Sequence, residues 1–149
     1  MMELKQMIEH SGISCSGIIV ELTESGYLEG TPAVRSVWND MKQLRIQIAL
    51  DDFGTGYSNL MNISNLEPDI VKLDRGFTLK ALSRSYEYQL MQYVIEMVHK
   101  LNQYVCVEGV ETKEDLEKIK ALGPDLIQGY YYSKPCSRDE FLKKVFGYF

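Results

Sequence analysis

The chain has 149 residues, 45% hydrophobic and 25% charged, proportions that exclude a disordered or fibrous protein and allow one domain with its own core. Its formal net charge of −5 excludes a broad basic face for polymeric nucleic acid, yet is compatible with a small phosphorylated ligand held through divalent cations. Cys15, Cys106 and Cys136 are widely spaced with no Cys-x-x-Cys pair, which points to a reducing compartment, the cytoplasm, rather than to a disulfide frame or a zinc site. Residues 1–10 lack the apolar centre of a signal peptide, and no later apolar run reaches membrane-spanning length, so no membrane segment is expected in this chain.

In residues 2–10, Leu4, Met7 and Ile8 recur at helical spacing until Ser11-Gly12 stops the pattern, which predicts an opening helix. Residues 17–22 predict a buried strand ending near Glu21, with Thr23, Glu24 and Ser25 in the turn beyond it. Thr31-Pro32 opens a second helix, whose apolar stripe is Val34, Val37, Trp38, Met41 and Leu44. The next apolar run, residues 47–50, is too short for a helix and reads as a buried strand that ends in Asp51-Asp52 and a glycine-bracketed turn. Residues 57–66 predict a short helix or turn, broken by Pro68 before a third strand over 69–74. The longest helical pattern is 86–101, followed by a fourth strand over 104–110. Thr112, with Asp115 three residues on, opens a further helix that Gly123-Pro124 stops. A fifth strand is expected over 126–132, and Ser137 caps a last helix through Phe146.

A helix followed by five strand-helix repeats is the pattern of a parallel sheet with helices outside it, either an open doubly wound sheet or a barrel. In both, the carboxyl ends of the strands share one face, so Glu21, Asp51, Asp52, Glu108 and Gln128 converge there, with Lys72 inside the remaining strand. Two adjacent acids repel one another unless a cation lies between them, although Asp-Asp-Phe-Gly also reads as an ordinary acidic turn. Glu21, Asp51, Asp52 and Glu108 form an all-oxygen set suited to Mg²⁺ or Mn²⁺. Two such ions about 3.5–4 Å apart can activate a water and stabilise the leaving oxygen of a phosphodiester. Lys72 could orient that water or neutralise developing charge, or could simply balance the acids as a buried ion pair.

Five motifs in order resemble the carboxyl-terminal part of an EAL domain, the bacterial family that hydrolyses cyclic di-GMP. They are Glu21-Leu22-Thr23-Glu24-Ser25, Asp51-Asp52-Phe53-Gly54-Thr55-Gly56-Tyr57-Ser58, Val71-Lys72-Leu73-Asp74-Arg75, Val107-Glu108-Gly109-Val110-Glu111-Thr112 and Gln128-Gly129-Tyr130-Tyr131-Tyr132-Ser133-Lys134-Pro135. The resemblance implies a TIM-barrel-type (β/α) fold, two Mg²⁺ or Mn²⁺ ions and hydrolysis of cyclic di-GMP to the linear dinucleotide. It implies Glu21 and Asp51 as metal ligands, Asp51 bridging, with Asp52 and Glu108 serving the second ion. Lys72 would hold the attacking water and Glu108 assist its deprotonation. Gln128 would lie near the metals' water shell, Glu111 near the site without an assigned role, and Glu24 would anchor the loop 53–58.

The family's Glu-Ala-Leu motif and a ligating asparagine belong to earlier strands than these five. Residues 1–149 are therefore expected to form a partial, incomplete domain, about five of eight strand-helix units, without the first three strands and with the first metal site incomplete. Exposed sheet edges then invite a homodimer or a complementing amino-terminal EAL segment. Three readings remain open: a phosphodiesterase active when its site is completed, a non-catalytic module that binds cyclic di-GMP, another nucleotide or a protein, and an inert remnant.

Overall fold

The structure, a computed structural model, describes residues 2–23, 32–55, 63 and 67–147. Helix α1 spans Met2–Ser11 and leads through a 3₁₀ turn at Cys15–Gly17 into β1, Ile19–Thr23. Then come α2 (Pro32–Gln43), β2 (Gln47–Phe53), β3 (Ile70–Leu73), α3 (Arg75–Ser83), α4 (Ser85–Lys100), β4 (Tyr104–Val107), α5 (Lys113–Lys120), β5 (Leu126–Ile127) and α6 (Arg138–Phe146). The expected turn residue Glu24, and the helix or turn over 57–66 apart from Ile63, lie outside the described residues.

All five strands run parallel in one sheet whose spatial order is the chain order, β1-β2-β3-β4-β5. This decides between the two architectures left open by the sequence. A doubly wound sheet reverses its strand order at a switch point and carries helices on both faces, whereas a sheet that always adds the next strand on the same side is a segment of a (β/α) barrel. The side-chain pattern agrees. Ile48, Leu50, Val71, Leu73, Val105 and Val107 point to one face and are 0% exposed. They join Trp38 and Met41 of α2, Phe77 and Ala81 of α3, Met91, Ile95 and Val98 of α4, and Leu116 and Ile119 of α5 in one core. Each such side chain removed from water contributes roughly 2 kcal/mol.

The opposite face carries only a small cluster of Ala49, Ile70 and Cys106, with Lys72 above it towards the carboxyl ends. At its margins Ile19, Tyr104 and Leu126 are exposed. Burial among these neighbours, with Glu108 nearby, pushes the Cys106 thiol up to about 11, so it is an inert apolar side chain at neutral pH.

Four elements differ from the sequence expectation. Strand β2 continues through Asp51 and Asp52 to Phe53, because its backbone keeps pairing with β1 and β3 past the apolar run. Strands β4 and β5 are shorter than expected: Gly109, at φ +78°, turns the chain out of the sheet, and residues 129–133 hold a turn closed by Tyr132 N to Gly129 O while Tyr131 N donates to Val110 O. Helix α3 was not foreseen, because Asp74 reads as the end of a strand. Its carboxylate instead accepts a hydrogen bond from Gly76 N at 2.7 Å and caps the helix.

At the amino ends of the strands two aspartates do the same job. Asp69 accepts from Ile48 N at 2.8 Å, and Asp125 accepts from Val105 N at 2.7 Å while its Oδ2 lies 2.9 Å from His99 Nε2. Burial opposes the Asp125 charge, but the Val105 amide and His99 outweigh it and hold its carboxyl below the usual aspartate range. A carboxyl with a lowered folded pKa stabilises the fold above its unfolded pKa and loses that contribution as pH falls through the folded value. Asp125→Asn is therefore expected to cost about 1 kcal/mol near neutral pH and to flatten the acid limb of the stability curve, as measured by urea unfolding from pH 7 to 3.

Candidate active site

The site forms where β1 to β4 end. Glu21 stands in β1 opposite Ala49, and Thr23 faces Asp51 across the β1–β2 ladder. Between Leu50, paired with Val71, and Phe53, paired with Leu73, β2 spends two residues, Asp51 and Asp52, against the single Lys72 of β3. That bulge is made by Asp52, whose φ of +60° lies in the left-handed region. Asp51 faces Lys72 by the ordinary alternation of the strand, and the effect of the bulge is to carry Asp52 out to solvent instead of into the helix-covered core.

Lys72 is 6% exposed, and its ammonium gathers three carboxylates. Nζ lies 2.8 Å from Glu21 Oε1, 3.0 Å from Asp51 Oδ1 and 2.7 Å from Glu108 Oε1. Burial works against this ammonium, but the carboxylates of Glu108, Glu21 and Asp51 together outweigh it and hold its pKa above the ordinary lysine value. Lys72 is thus a fixed cation. Asp51 Oδ1 is buried and has no partner in hydrogen-bond geometry among the described residues, so its contact with Nζ is Coulombic. Burial and the charges of Asp51 and Asp74, with a smaller share from Glu21, raise the Asp52 carboxyl above the usual range, against the pull of Lys72.

Glu108 follows β4 directly, its amide donating to Leu73 O at 3.1 Å. The chain beyond it is clamped. Arg75, the first residue of α3, donates from Nη2 and Nε to Glu111 Oε1 at 2.7 and 3.2 Å. A Cβ on Gly109 would overlap Arg75 Cγ, and one on Gly129 would overlap the Val110 carbonyl. Arg75, Glu108, Gly109, Glu111, Gln128, Gly129 and Tyr130 line a cavity of about 160 Å³ beside the ion cluster. Of the residues singled out in the sequence, Glu21, Asp51, Lys72 and Glu108 meet at one point. Gln128 and Glu111 stand in the neighbouring cavity, and Asp52 sits at the rim without an ion pair among the described residues. Arg75 and Gly109 lie inside quoted motifs but were assigned no role; the position of Arg75, three residues past Lys72 at the start of a capped helix, was the available signal.

The donors are all oxygen, and a buried carboxylate oxygen lacks a hydrogen-bond donor, a chemistry that fits a hard divalent cation. Among the described residues no three acidic, histidine or cysteine side chains stand in the geometry of a metal site, and Glu21, Asp51 and Glu108 surround the Lys72 ammonium instead.

The EAL domain family model matches residues 1–135. The chain belongs to the EAL domain family. It is 30% identical over 144 residues to the cyclic di-GMP phosphodiesterase NbdA of Pseudomonas aeruginosa, a match covering 95% of this chain and 18% of that protein. Among solved structures, the EAL enzyme Bd1971 in its cAMP and cyclic di-GMP bound form superposes with a TM-score of 0.89 at 31% identity, covering 95% of this chain and 38% of that one. The manganese and cyclic di-GMP complex of Klebsiella pneumoniae BlrP1 gives 0.83 at 27% identity, with coverages of 89% and 34%. The EAL domain of Mycobacterium smegmatis DcpA gives 0.86 at 27% identity, with coverages of 95% and 64%. This EAL chain therefore spans under a fifth of the length of NbdA and under two thirds of the DcpA domain.

A carboxyl with a raised folded pKa opposes folding increasingly as pH rises from its unfolded pKa, and in full above the folded value. Asp52→Asn, in the absence of divalent cations, is expected to raise stability by about 0.5 kcal/mol at pH 7, discounted for exposure, with the gain vanishing as pH falls below the Asp52 pKa. Urea unfolding at pH 7 and pH 4 checks it.

Proposed function

We propose that this chain is the larger part of a cyclic di-GMP phosphodiesterase domain, one that hydrolyses cyclic di-GMP to the linear dinucleotide once its site is completed. The observation that carries this reading is the meeting of Glu21, Asp51 and Glu108 on Lys72 at the carboxyl ends of the strands, in a chain whose relatives include a named cyclic di-GMP phosphodiesterase. Two Mg²⁺ or Mn²⁺ ions, when bound, supply the Lewis acidity that acidifies the attacking water and neutralises the leaving oxygen. Glu21 and Asp51 would hold one ion, Asp51 being shared, and Asp52 and Glu108 the other.

The chain's own groups do the rest. Glu108 Oε1 accepts the proton lost by the attacking water as the new P–O bond forms and the ester P–O bond to the departing ribose oxygen breaks. The Lys72 ammonium faces the charge developing on the phosphoryl oxygens. Gln128 and Glu111 face the substrate from the adjoining cavity, with Arg75 fixing Glu111. Residues 1–149 form a partial domain, the remaining strands being those of the earlier part of an EAL domain; coverage of 64% of the DcpA domain supports this division. The free cysteines support work in the reducing cytoplasm. Among the described residues, no helix is long and apolar enough to cross a membrane.

A second reading, a module that binds cyclic di-GMP without turning it over, is favoured by one observation. Three carboxylates lie within 3.0 Å of the Lys72 ammonium, so its charge is already balanced and crowded on the side where an attacking water would be held.

Calorimetry and a hydrolysis assay separate these readings. The purified chain is expected to bind Mn²⁺ and, with it, cyclic di-GMP, and to produce the linear dinucleotide when supplied with an amino-terminal EAL segment. Asp51→Asn should weaken Mn²⁺ binding about tenfold or more, and Glu108→Gln should lower turnover by roughly a hundredfold. Unchanged Mn²⁺ affinity in Asp51→Asn sinks the proposed ligand set, and binding without turnover selects the second reading. The exposed Ile19, Tyr104 and Leu126 on the uncovered face of the sheet lead to one more expectation: the chain alone self-associates, and strictly monomeric sedimentation at high concentration counts against it.

A further inference from the structure

Three carboxylates from β1, β2 and the end of β4 stand within 3.0 Å of a single nitrogen. Acids brought this close repel one another unless a cation lies among them, and Lys72 Nζ is the cation found there. It meets them as an ion would, one oxygen from each, from its place on the sheet face that carries Ala49, Ile70 and Cys106. The Asp51 oxygen that it meets lacks hydrogen-bond geometry, as expected of a contact set by charge rather than by proton direction. The same oxygens are the ligands assigned to the divalent ions under the proposed function, and the role inferred for Lys72 rests on that assignment.

We propose that Lys72 is the internal counter-ion of the metal-free site. Its ammonium keeps Glu21, Asp51 and Glu108 assembled before a divalent cation arrives, and it gives up at least one of them when the cation binds. Lys72 thereby acts in two opposed directions. It holds the ligands in place, which favours folding of the metal-free chain, and it competes for them, which weakens the affinity for the cation. A lysine that only positioned a water would do neither, because its loss would leave the acids unchanged in position and charge.

The test is thermal unfolding and Mn²⁺ calorimetry on the wild type and on Lys72→Met. Without divalent cation the variant is expected to melt roughly 10 °C lower, since three acids are left uncompensated. Saturating Mn²⁺ should recover most of that loss and raise Tm more in the variant than in the wild type. The variant's Kd for Mn²⁺ should be about tenfold lower, the competitor being gone. Should Lys72→Met fold only in the presence of Mn²⁺, the counter-ion role is supported directly. The wild type supplies an independent measurement: the ¹⁵N resonance of the Lys72 ammonium, assigned with Lys72→Arg, is expected to shift on saturation with diamagnetic Mg²⁺. Mn²⁺ affinity left unchanged or weakened by Lys72→Met, or an ammonium resonance unmoved by Mg²⁺ that does bind, overturns the competition and leaves the ligand assignment standing. No Mn²⁺ binding by either protein overturns both.

Discussion

One ammonium holds the carboxyl end of this sheet together. Lys72 is drawn by its own strand, β3, into the middle of the site, and from there it reaches an acid on each of the strands around it, Glu21, Asp51 and Glu108. Burying an isolated charge at that depth is strongly unfavourable, and burying an isolated acid beside two others is no better, so neither part is stable without the other. The cluster is a single electrostatic unit spread over four strands. This explains how a small sheet with one largely uncovered face keeps its strand ends in register there. It also explains why the site's charge is set in the absence of any ion.

Backbone devices aim the acids at that nitrogen. The bulge in β2 requires a left-handed residue, and Asp52 adopts that conformation although its side chain gives it no steric exemption. Asp51 keeps the alternation that places it with Ala49 on the Lys72 face, whereas without the extra residue Asp52 would point to the helix-covered face. On the other side of the cluster, Gly109 and Gly129 let the segment after Glu108 pass against Arg75 and Val110 with no room for a Cβ. The Arg75–Glu111 pair then ties that segment to the start of α3. The acids are thus positioned by two local departures from regular strand geometry, one in β2 and one after β4.

The two faces of the sheet have unequal support. The helix-covered face is dry and supplies the apolar burial that stabilises the chain. The other carries Ala49, Ile70 and Cys106 buried under the ion cluster and exposed apolar side chains at its margins. In the sequential strand order this second face is the one a closed barrel would enclose, and its margins belong to the outer strands β1 and β5 and to the foot of β4. The asymmetry is what remains when a barrel is represented by five neighbouring strands, and it accords with a chain that matches 64% of a solved EAL domain.

Much of this was legible in the residues. Short apolar runs alternating with helical stripes announced a parallel α/β sheet, and the acids at the ends of those runs announced a site on one face, because strand direction sends every carboxyl end the same way. Five spaced motifs identified the family, and Thr112, Ser137 and Gly123 marked helix ends through capping chemistry that is local in sequence. The rest depended on neighbours remote in the chain. Whether the sheet was doubly wound or barrel-like lay in strand order, which no local pattern encodes. Whether Lys72 balanced acids or stood apart lay in distances across four strands, and the separate fates of the adjacent Asp51 and Asp52 lay in a bulge that exists only against β3. Helix α3 was hidden because Asp74, read alone, ends a strand as well as it caps a helix. Composition and spacing by themselves determined which residues were available to one site, since periodicity and capping act within a few residues. Only the tertiary structure decided which of them meet, because charge pairing acts through space.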